Sequence, residues 1–335
     1  MKQIDDQVFD LVIVGGGPIG MACAIEAEKK KLNYIVIEKG ALVNSLFNFP
    51  TNMTFFSTSK LLEIGGVPFI SHSEKPTRRE ALEYFRRVYD AWNLNMAFYE
   101  EVENLKKLDE SFIITTSHRK IQAKYVVLAT GFYGQEKKMD VPGENLDKVR
   151  HYYREAHPYI GQDILVVGAA NSACDVALEL FHKGSNVTMV IRGDTINKRV
   201  KYWIRPNIEN RIKEGSIKAF FNSTVESIHP DFVIIKTPNG EEKIPNDYVL
   251  AMTGYTPDFT FLDNLGIERN PSDSNLPDVD PDTLETNIEN LFLAGVIVAG
   301  NYTSKLFIEN ARSHAKVILS EILEKEKYLE SKGLA

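Results

Sequence analysis

Hydrophobic runs of strand length alternate with a stretch of helical spacing over the first forty residues. Residues 9–14 form an apolar run rich in β-branched side chains, and residues 34–37 form a second. Between them, apolar residues recur at helical spacing over residues 21–30, after a turn rich in glycine. The pattern predicts strand, tight turn, helix and strand, which is a βαβ unit.

The same pattern recurs in the middle of the chain. Residues 163–167 predict a buried strand, residues 175–182 a helix and residues 186–191 a following strand. The turn between the first strand and the helix begins at Gly168 and has alanine at the second and third glycine positions. A repeated unit within one chain strengthens both interpretations.

The remaining periodic segments fit around these two units. Residues 125–129 and 248–252 are apolar strands, and each is followed by Thr-Gly. The other predicted strands are 95–101, 218–223, 232–236 and 290–295, with a hairpin at 112–116 and 121–122; the other predicted helices are 77–92 and a long amphipathic one at 303–325. Residues 40–69, rich in Asn, Ser, Thr and Phe, predict a long irregular loop that contacts a flat aromatic ligand.

Composition narrows the class of protein. The chain has 335 residues, 43% of them hydrophobic, which suffices for about two domains of ~150 residues each. A net charge of -7 argues against a nucleic-acid partner. No apolar stretch approaches the ~20 residues of a membrane helix, and the polar, acidic start does not resemble a signal peptide. Two cysteines are too few for a disulfide framework, so we expect a reducing cytoplasm.

The first glycine turn has the residues that a dinucleotide requires. Gly15 permits the turn, Gly17 lets a pyrophosphate approach the backbone, and Gly20 lets helix and strand pack closely. The helix N-terminus offers free N–H groups to the phosphates. Glu38 ends the second strand, about 20 residues after the turn, where an acid accepts hydrogen bonds from a ribose. The first unit therefore predicts a dinucleotide site.

The second unit differs in charge. Its second strand ends in Arg192, a cation that accommodates a 2′-phosphate and so favours NADPH over NADH. Lys198, Arg199 and Lys201 are candidates for further positive charge, or form a solvated basic turn. Two dinucleotide sites imply electron transfer between two cofactors, with FAD at the first unit and NADPH at the second.

We therefore predict an α/β fold of two Rossmann-like domains, each a three-layer ββα/βα dinucleotide-binding domain. The second unit is enclosed in sequence by the first domain, whose last strand and helix come near the end of the chain. The expected FAD domain is discontinuous, residues 1–150 and 285–335. The expected NADPH domain, residues 155–280, is inserted in it.

The order of these motifs resembles the low-molecular-weight thioredoxin reductases and, more closely, the bacillithiol disulfide reductase (YpdA) family. The stretches that carry the resemblance are Gly15-Gly16-Gly17-Pro18, Asn48-Phe49-Pro50-Thr51, Thr54-Phe55-Phe56-Ser57, Gly65-Gly66-Val67-Pro68-Phe69, Glu155-Ala156-His157-Pro158-Tyr159, Asn171-Ser172-Ala173 and Phe307-Ile308-Glu309-Asn310. The resemblance runs from end to end of the chain. It implies bound FAD, NADPH as the reductant, and a homodimer or homotetramer.

The chain departs from these families at its cysteines. It lacks the Cys-x-x-Cys of thioredoxin reductases, and Ile19 stands where the bacillithiol enzymes resemble one another in having cysteine. Isoleucine forms no mixed disulfide. Cys23, one helical turn further on, and Cys174 are both predicted to be packing residues. Gly295 is followed by valine where many flavoproteins have aspartate, and its backbone N–H is expected to remain available to the cofactor.

These arguments give a set of expected cofactor-binding residues and leave the catalytic residue unidentified. In the FAD domain they are Gly15, Gly17, Pro18, Ile19, Gly20, Glu38, Lys39, Asn48, Thr54, Val102, Ala129, Thr130, Gly131 and Gly295, and in the NADPH domain Gly168, Ala170, Asn171, Ser172, Ala173, Arg192 and Gly254. His151 and His157 are candidate proton donors, or hinge and packing residues. No spacing of metal ligands is evident.

The expected reaction passes a hydride from NADPH to flavin N5 and then electrons to an acceptor. By resemblance, that acceptor is a low-molecular-weight disulfide such as bacillithiol disulfide. The alternatives are a small redox protein, as in ferredoxin or flavodoxin reductases, and oxygen, as in flavin monooxygenases. A non-enzymatic redox sensor is the remaining reading.

Overall fold

The computed structural model describes residues 4–332, with side chains from residue 8 onward. Residues 1–3 and 333–335, which include both predicted outer limits of the FAD domain and part of the polar start of the chain, lie outside the described residues. The chain divides into two compact units. Unit 1 contains the chain up to Phe49, Met53–Gln135 and the chain from Thr256; unit 2 contains Pro50–Asn52 and Glu136–Tyr255.

The bounds of the helices and strands follow the chain in order. The helices are α1 Pro18–Lys29, α2 Asn44–Phe47, α3 Ser59–Leu62, α4 Arg78–Trp92, α5 Asn171–His182, α6 Arg205–Lys213, α7 Phe259–Asn264, α8 Ile308–Ala311 and α9 His314–Lys332, with short 3-10 helices at His157–Tyr159 and Gly295–Ala299. The strands are β1 Ile4–Val14, β2 Tyr34–Ile37, β3 Met96–Ala97, β4 Val102–Leu108, β5 Ser111–Thr116, β6 Lys120–Leu128, β7 Gln135–Glu136, β8 Val149–Arg150, β9 Asp163–Val167, β10 Asn186–Val190, β11 Lys218–Phe220, β12 Thr224–Ile228, β13 Phe232–Thr237, β14 Gly240–Pro245, β15 Tyr248–Ala251, β16 Tyr255–Thr256, β17 Arg269–Asn270, β18 Leu276–Pro277 and β19 Leu291–Leu293.

Unit 1 is built on a sheet with the strand order β3-β2-β1-β6-β5-β4. The pairs β3-β2, β2-β1 and β1-β6 are parallel. The first part of β6 pairs antiparallel with β5, and its last residues pair parallel with β19. The carboxyl ends of β1, β2, β6 and β19 therefore meet at one edge of the sheet, which is where α/β proteins bind ligands.

Apolar side chains cover both faces of this sheet. One core combines β1 and β2 with α1, α4 and α9, through fully buried residues such as Ile13, Met21, Phe85 and Ile318. The other core lies against β4–β6 and includes Leu262 of α7. Buried on both faces, the parallel strands have continuous apolar runs, which is why the hydrophobic pattern located β1 and β2.

Unit 2 contains a second parallel sheet, ordered β11-β10-β9-β15-β8. Its core joins β9, β10 and β15 to α5 and α6. A three-stranded antiparallel sheet, β12-β13-β14, packs through a second apolar cluster that includes Val233 and Leu165. Both units are thus mixed α/β structures with parallel sheets, and each begins with a βαβ element.

The bounds of the units differ from the predicted 150, 155, 280 and 285. Unit 2 begins at Glu136 because β8 pairs with β15 of its sheet. It ends at Tyr255 because α7 packs into the core of unit 1 through Leu262. Both segments have short, weakly periodic elements, so the hydrophobic pattern alone did not assign them.

Three predicted elements need correction. The helix expected at 303–325 is α8 and α9, separated by a turn, because the side chains of Asn310 and Arg312 hydrogen-bond to the carbonyls of Lys305 and Glu63. The strand expected at 95–101 is only β3. The loop 40–69 contains the short helices α2 and α3. The helix predicted at 77–92 is confirmed as α4, with Thr77 and Glu80 forming a capping box.

Candidate functional site

The first glycine turn brings β1, α1 and β6 into close contact. Gly15 has a φ of 104°, and a Cβ there would lie 2.5 Å from the carbonyl oxygen of Ala129. A Cβ on Gly20 would lie 1.9 Å from the carbonyl oxygen of Gly15. Neither position accepts a side chain, because both neighbours are backbone. The predicted roles of these two glycines, in turning the chain and in helix packing, are confirmed.

The N-terminus of α1 faces open space. A Cβ on Gly17 would meet nothing within 4 Å. Gly17 is the N-cap, with no side-chain cap and no acidic residue in the first turn, and Pro18 occupies the first position. The free N–H groups of this turn therefore have no side-chain acceptor, and an anion is a favourable partner for them. This region fits a pyrophosphate.

Glu38 is buried at the end of β2 and holds the turn from the other side. Its carboxylate accepts hydrogen bonds from the N–H groups of Gly16 at 2.7 Å and Gly40 at 2.9 Å. Burial raises its pKa, while those hydrogen bonds and the charge of Lys39 oppose the increase. Each oxygen retains a second acceptor site for a ribose hydroxyl. Glu38 thus has a structural role that sequence reasoning did not assign.

Two predicted residues lie beside Glu38. Lys39 follows it and is exposed. Val102 begins β4, two residues after Glu100, whose N–H donates to the Glu38 carbonyl at 3.0 Å. Both positions border the expected ribose side of the site.

The ends of β6 and β19 form the rest of the carboxyl edge. Ala129 donates its N–H to the Val14 carbonyl at 2.8 Å, and Thr130 and Gly131 follow, with Gly131 at a φ of 71°. Gly295 follows β19 with a φ of 86°, and a Cβ there would lie 3.3 Å from Cγ1 of Ile19. Ile19 and Gly295 are therefore neighbours.

The N–H of Gly295 is not available to a ligand as expected. It donates to Nδ1 of His314, the first residue of α9, at 3.2 Å. His314 is half-buried, and burial lowers its pKa, which favours the neutral ring that this acceptor requires. The sequence did not indicate this contact, because it joins two segments that only the fold brings together.

The two predicted residues of the aromatic loop are held by hydrogen bonds of different kinds. Asn48 donates from its side chain to the Asn44 carbonyl at 2.9 Å, and its own carbonyl accepts from the Tyr133 hydroxyl at 3.1 Å. Thr54 forms an isolated β-bridge with Thr77, the N-cap of α4. Tyr133, just after Thr-Gly, was not predicted; its phenol connects this loop to the end of β6.

The turn of unit 2 repeats the geometry of the first with more space. Gly168 has a φ of 128°, and a Cβ there would lie 2.6 Å from the carbonyl of Met252. Ala170 is the N-cap of α5, which has no side-chain cap and no acidic residue in its first turn. Ala173 is fully buried, and Ser172 is exposed. Alanine replaces glycine here because α5 lies further from the turn than α1 does.

Asn171 connects a basic loop to this turn. Its side chain accepts from the Lys201 N–H at 2.8 Å and donates to the Arg199 carbonyl at 3.3 Å. The N–H of Asn197 donates to the Ala169 carbonyl at 3.1 Å. Expected as a direct ligand, Asn171 instead fixes the loop that follows β10.

The basic residues of this loop differ in accessibility. Arg192, at the end of β10, is exposed, as are Lys198 and Arg199. Lys201 is mostly buried and pairs with Asp175 at 2.8 Å, so its charge is neutralised. Gly254, after β15, has a φ of 96° and accepts the Lys137 N–H at 2.9 Å. The arrangement fits a phosphate better at Arg192 than at Lys201.

Neither cysteine is a reactive thiol. Cys23 and Cys174 are both 0% exposed. Burial, with a smaller contribution from Glu26, raises the pKa of Cys23 to about 12. Burial, followed by Asp175, raises the pKa of Cys174 to about 12. Their predicted role as packing residues is confirmed.

The two candidate histidines both belong to unit 2. His151 lies 3.3 Å from the Glu144 carboxylate and is mostly buried, whereas His157 is exposed in a 3-10 helix. Neither is among the residues at the carboxyl edge of the unit 1 sheet. Over residues 4–332, no group of three or more metal-ligating side chains is found. In the same part of the chain, none of the helices has the length and apolarity needed to cross a membrane.

Comparisons with known proteins agree with this geometry. The family described as pyridine nucleotide-disulphide oxidoreductase matches residues 12–295. The chain is 42% identical over 321 residues to the bacilliredoxin reductase Bdr of Bacillus subtilis (strain 168), covering 95% of this chain and 98% of that protein. The solved bacillithiol disulfide reductase Bdr (YpdA) from Staphylococcus aureus is 42% identical, with a TM-score of 0.93 over 95% of this chain and 99% of that one.

A more distant structure shares the fold alone. The thioredoxin reductase of T. acidophilum is 20% identical, with a TM-score of 0.76 over 95% of this chain and 100% of that one. The resemblance inferred from the sequence motifs is confirmed, and family membership implies an oxidoreductase with FAD and NADPH as cofactors. The chain belongs to the pyridine nucleotide-disulphide oxidoreductase family, among its thioredoxin-reductase-like flavoproteins.

Proposed function

We propose that this chain is an NADPH-dependent FAD oxidoreductase that reduces a low-molecular-weight disulfide of the bacillithiol disulfide type. The observation that carries the proposal is the pair of uncapped turns, with Glu38 after the first and Arg192 after the second. When bound, FAD supplies the transfer of two electrons from NADPH to the acceptor through N5. The net reaction consumes one NADPH and one proton and converts the disulfide to two thiols.

The residues of unit 1 fit FAD. Gly17 and Pro18 leave the first turn of α1 open to the pyrophosphate, and Glu38 presents acceptors to the adenosine ribose. Ile19 and Gly295 lie together at the same edge of the sheet, with no charged group between their contacting atoms. They make that part of the site apolar, which suits an aromatic ring and excludes water from it.

The residues of unit 2 fit NADPH. Gly168 and Ala170 form the phosphate turn, and the exposed guanidinium of Arg192 suits a 2′-phosphate. We propose that unit 2 is the Rossmann-like NADPH domain inserted in the FAD domain. We also propose that the protein is a homodimer or homotetramer in the cytoplasm.

The reaction does not use a cysteine of this chain. A thiolate is the form that attacks a disulfide, and burial holds both thiols protonated. Ile19 stands at the position of the family cysteine. The acceptor therefore takes its electrons without a mixed disulfide to the protein.

This feature also favours a second candidate. A small iron–sulfur or flavin protein accepts electrons without a protein thiol, and the chain is 26% identical over 298 residues to a ferredoxin–NADP reductase of Acholeplasma laidlawii (strain PG-8A). Oxygen, in a monooxygenase, and a non-enzymatic sensor have no comparable observation in their favour.

The test is an acceptor screen on the purified holoprotein. Anaerobic NADPH should bleach the flavin absorption, and the bleached protein should be reoxidised by bacillithiol disulfide over many turnovers. Faster turnover with ferredoxin or flavodoxin than with any disulfide would replace the leading proposal by the second. A protein that is colourless and takes up no added FAD contradicts both.

A further inference from the structure

The carboxylate of Glu309, in α8, lacks a partner. Its Oε2 atom is inaccessible to solvent and has no hydrogen bond to any described residue. Nearly all buried polar atoms in proteins have a partner, so an orphaned carboxylate oxygen indicates a donor that the protein itself does not provide. An unsatisfied buried acceptor is costly, and more so when it is charged.

The neighbouring side chains of the same segment are used elsewhere. Asn310 accepts from the Phe307 N–H and donates to the Lys305 carbonyl, which caps α8. Arg312, the nearest cation in sequence, donates to the carbonyl of Glu63. Among the described residues no ion pair joins Arg312 to Glu309. The local structure therefore holds α8 in place and leaves the carboxylate for a ligand.

Glu309 belongs to the region around the proposed FAD site. Helix α8 packs against α1 and against the 3-10 helix that begins at Gly295. Gly295 in turn lies against Ile19, in the first turn of α1. All of these elements are in unit 1.

His314 adds a donor to the same region. Because its Nδ1 accepts from the Gly295 N–H, the neutral ring carries its proton on Nε2. Nε2 has no hydrogen bond to a described residue and is not among the buried orphaned atoms. The segment that follows Gly295 thus offers one acceptor and one donor.

We propose that Glu309 and His314 recognise the pyrimidine edge of the flavin ring, with Glu309 accepting from N3–H and His314 donating to an adjacent carbonyl. The inference rests on the proposed function, since it assigns residues to the FAD of that site. The isoalloxazine edge presents carbonyl, N–H and carbonyl in succession, which needs both a donor and an acceptor from the protein. A ribityl hydroxyl would need only one of them.

The test is a binding cycle between a side chain and a ring atom. Apoprotein of the full chain is titrated with FAD and with 3-methyl-FAD, whose N3 has no hydrogen. Wild type should bind FAD about tenfold or more tightly than the methylated analogue. Glu309→Ala should lose most of that preference, and Glu309→Gln, which keeps an acceptor oxygen, should retain it.

The reduction potential of the bound flavin gives an independent measurement. A carboxylate beside the ring disfavours the added negative charge of the reduced flavin, so Glu309→Gln should make the midpoint potential more positive. Glu324→Gln is the matched control: it removes the same charge from an exposed position on α9 and should leave both potential and affinities unchanged. His314→Phe should weaken FAD binding about tenfold, and His314→Gln, which keeps an N–H donor, should weaken it less.

The outcomes separate the two proposals. If wild type binds FAD but Glu309→Ala shows the wild-type preference for FAD over the analogue, Glu309 does not meet N3 and this inference is wrong. The same holds if Glu309→Gln and Glu324→Gln shift the potential equally. If wild type binds no flavin at all, the proposed function fails, and this inference with it.

Discussion

The N–H of Gly295 donates to Nδ1 of His314 across 3.2 Å, and so joins the end of β19 to the start of α9. A backbone amide at this place would otherwise face the proposed flavin site. The imidazole satisfies it and fixes the positive φ of Gly295, which lies against Ile19. A half-buried, neutral histidine thus holds the chain at the point where the family relationship places the cofactor.

The first prediction follows from the lowered pKa of His314. Burial lowers that pKa below 6.5, so the folded state resists protonation more than the unfolded state does. The contribution of His314 to stability is fully present above about pH 6.5 and is lost as pH falls through the lower folded-state pKa. His314→Gln should therefore make the urea midpoint fall less steeply between about pH 7.5 and about pH 5.5.

The control for that prediction is His182→Gln, which removes an exposed histidine from α5. It should leave the wild-type pH dependence unchanged. A wild-type slope in the His314→Gln variant would show that another group is responsible.

The second prediction contrasts two glycines of one turn. Gly17→Val places its side chain in open space at an ordinary φ of -73°, so folding should be affected little while FAD binding is abolished. Gly20→Ala places a Cβ 1.9 Å from the Gly15 carbonyl oxygen, so the fold itself should lose roughly 3 kcal/mol or more. Denaturation of the apoproteins and FAD titration separate the two effects. Retained flavin in the Gly17 variant would contradict the pyrophosphate assignment.

The third prediction concerns the choice of nicotinamide. Arg192→Ala should raise the KM for NADPH roughly ten- to a hundredfold, because a charge-assisted contact of about 1.5–3 kcal/mol is lost. The KM for NADH should change little. Lys236→Ala removes the same charge from an exposed strand position of unit 2 and should affect neither cofactor. Equal increases with both nicotinamides would remove Arg192 from the 2′-phosphate site.

The fourth prediction is that turnover survives without cysteine. Both thiols are buried with a pKa of about 12, so the Cys23→Ala, Cys174→Ala double variant should keep flavin reduction and acceptor turnover. Packing losses of about 1 kcal/mol per site are expected. Iodoacetamide should leave the folded enzyme active. If Cys23→Ala alone stopped disulfide reduction while NADPH still bleached the flavin, a bacillithiol-type mixed disulfide at Cys23 would become the better mechanism.

The sequence determined the local chemistry of both turns. Gly15, Gly20 and Gly168 lie where backbone from another strand leaves no room for a side chain, and glycine is the residue that such contacts require. Strands buried on both faces give continuous apolar runs, so β1, β9 and β15 were located from hydrophobicity. The change from Glu38 to Arg192 after the second strand was equally visible, because it depends on position within a short motif.

Only the tertiary structure decided which distant residues meet. Ile19 lies against Gly295, and His314 accepts from the same glycine, although the three belong to segments far apart in sequence. The break between α8 and α9 arises from side-chain hydrogen bonds to carbonyls outside the helices, and no local breaker residue marks it. The orphaned oxygen of Glu309 has the same origin: burial and hydrogen-bond satisfaction depend on what packs around an atom, and a linear pattern does not contain that information.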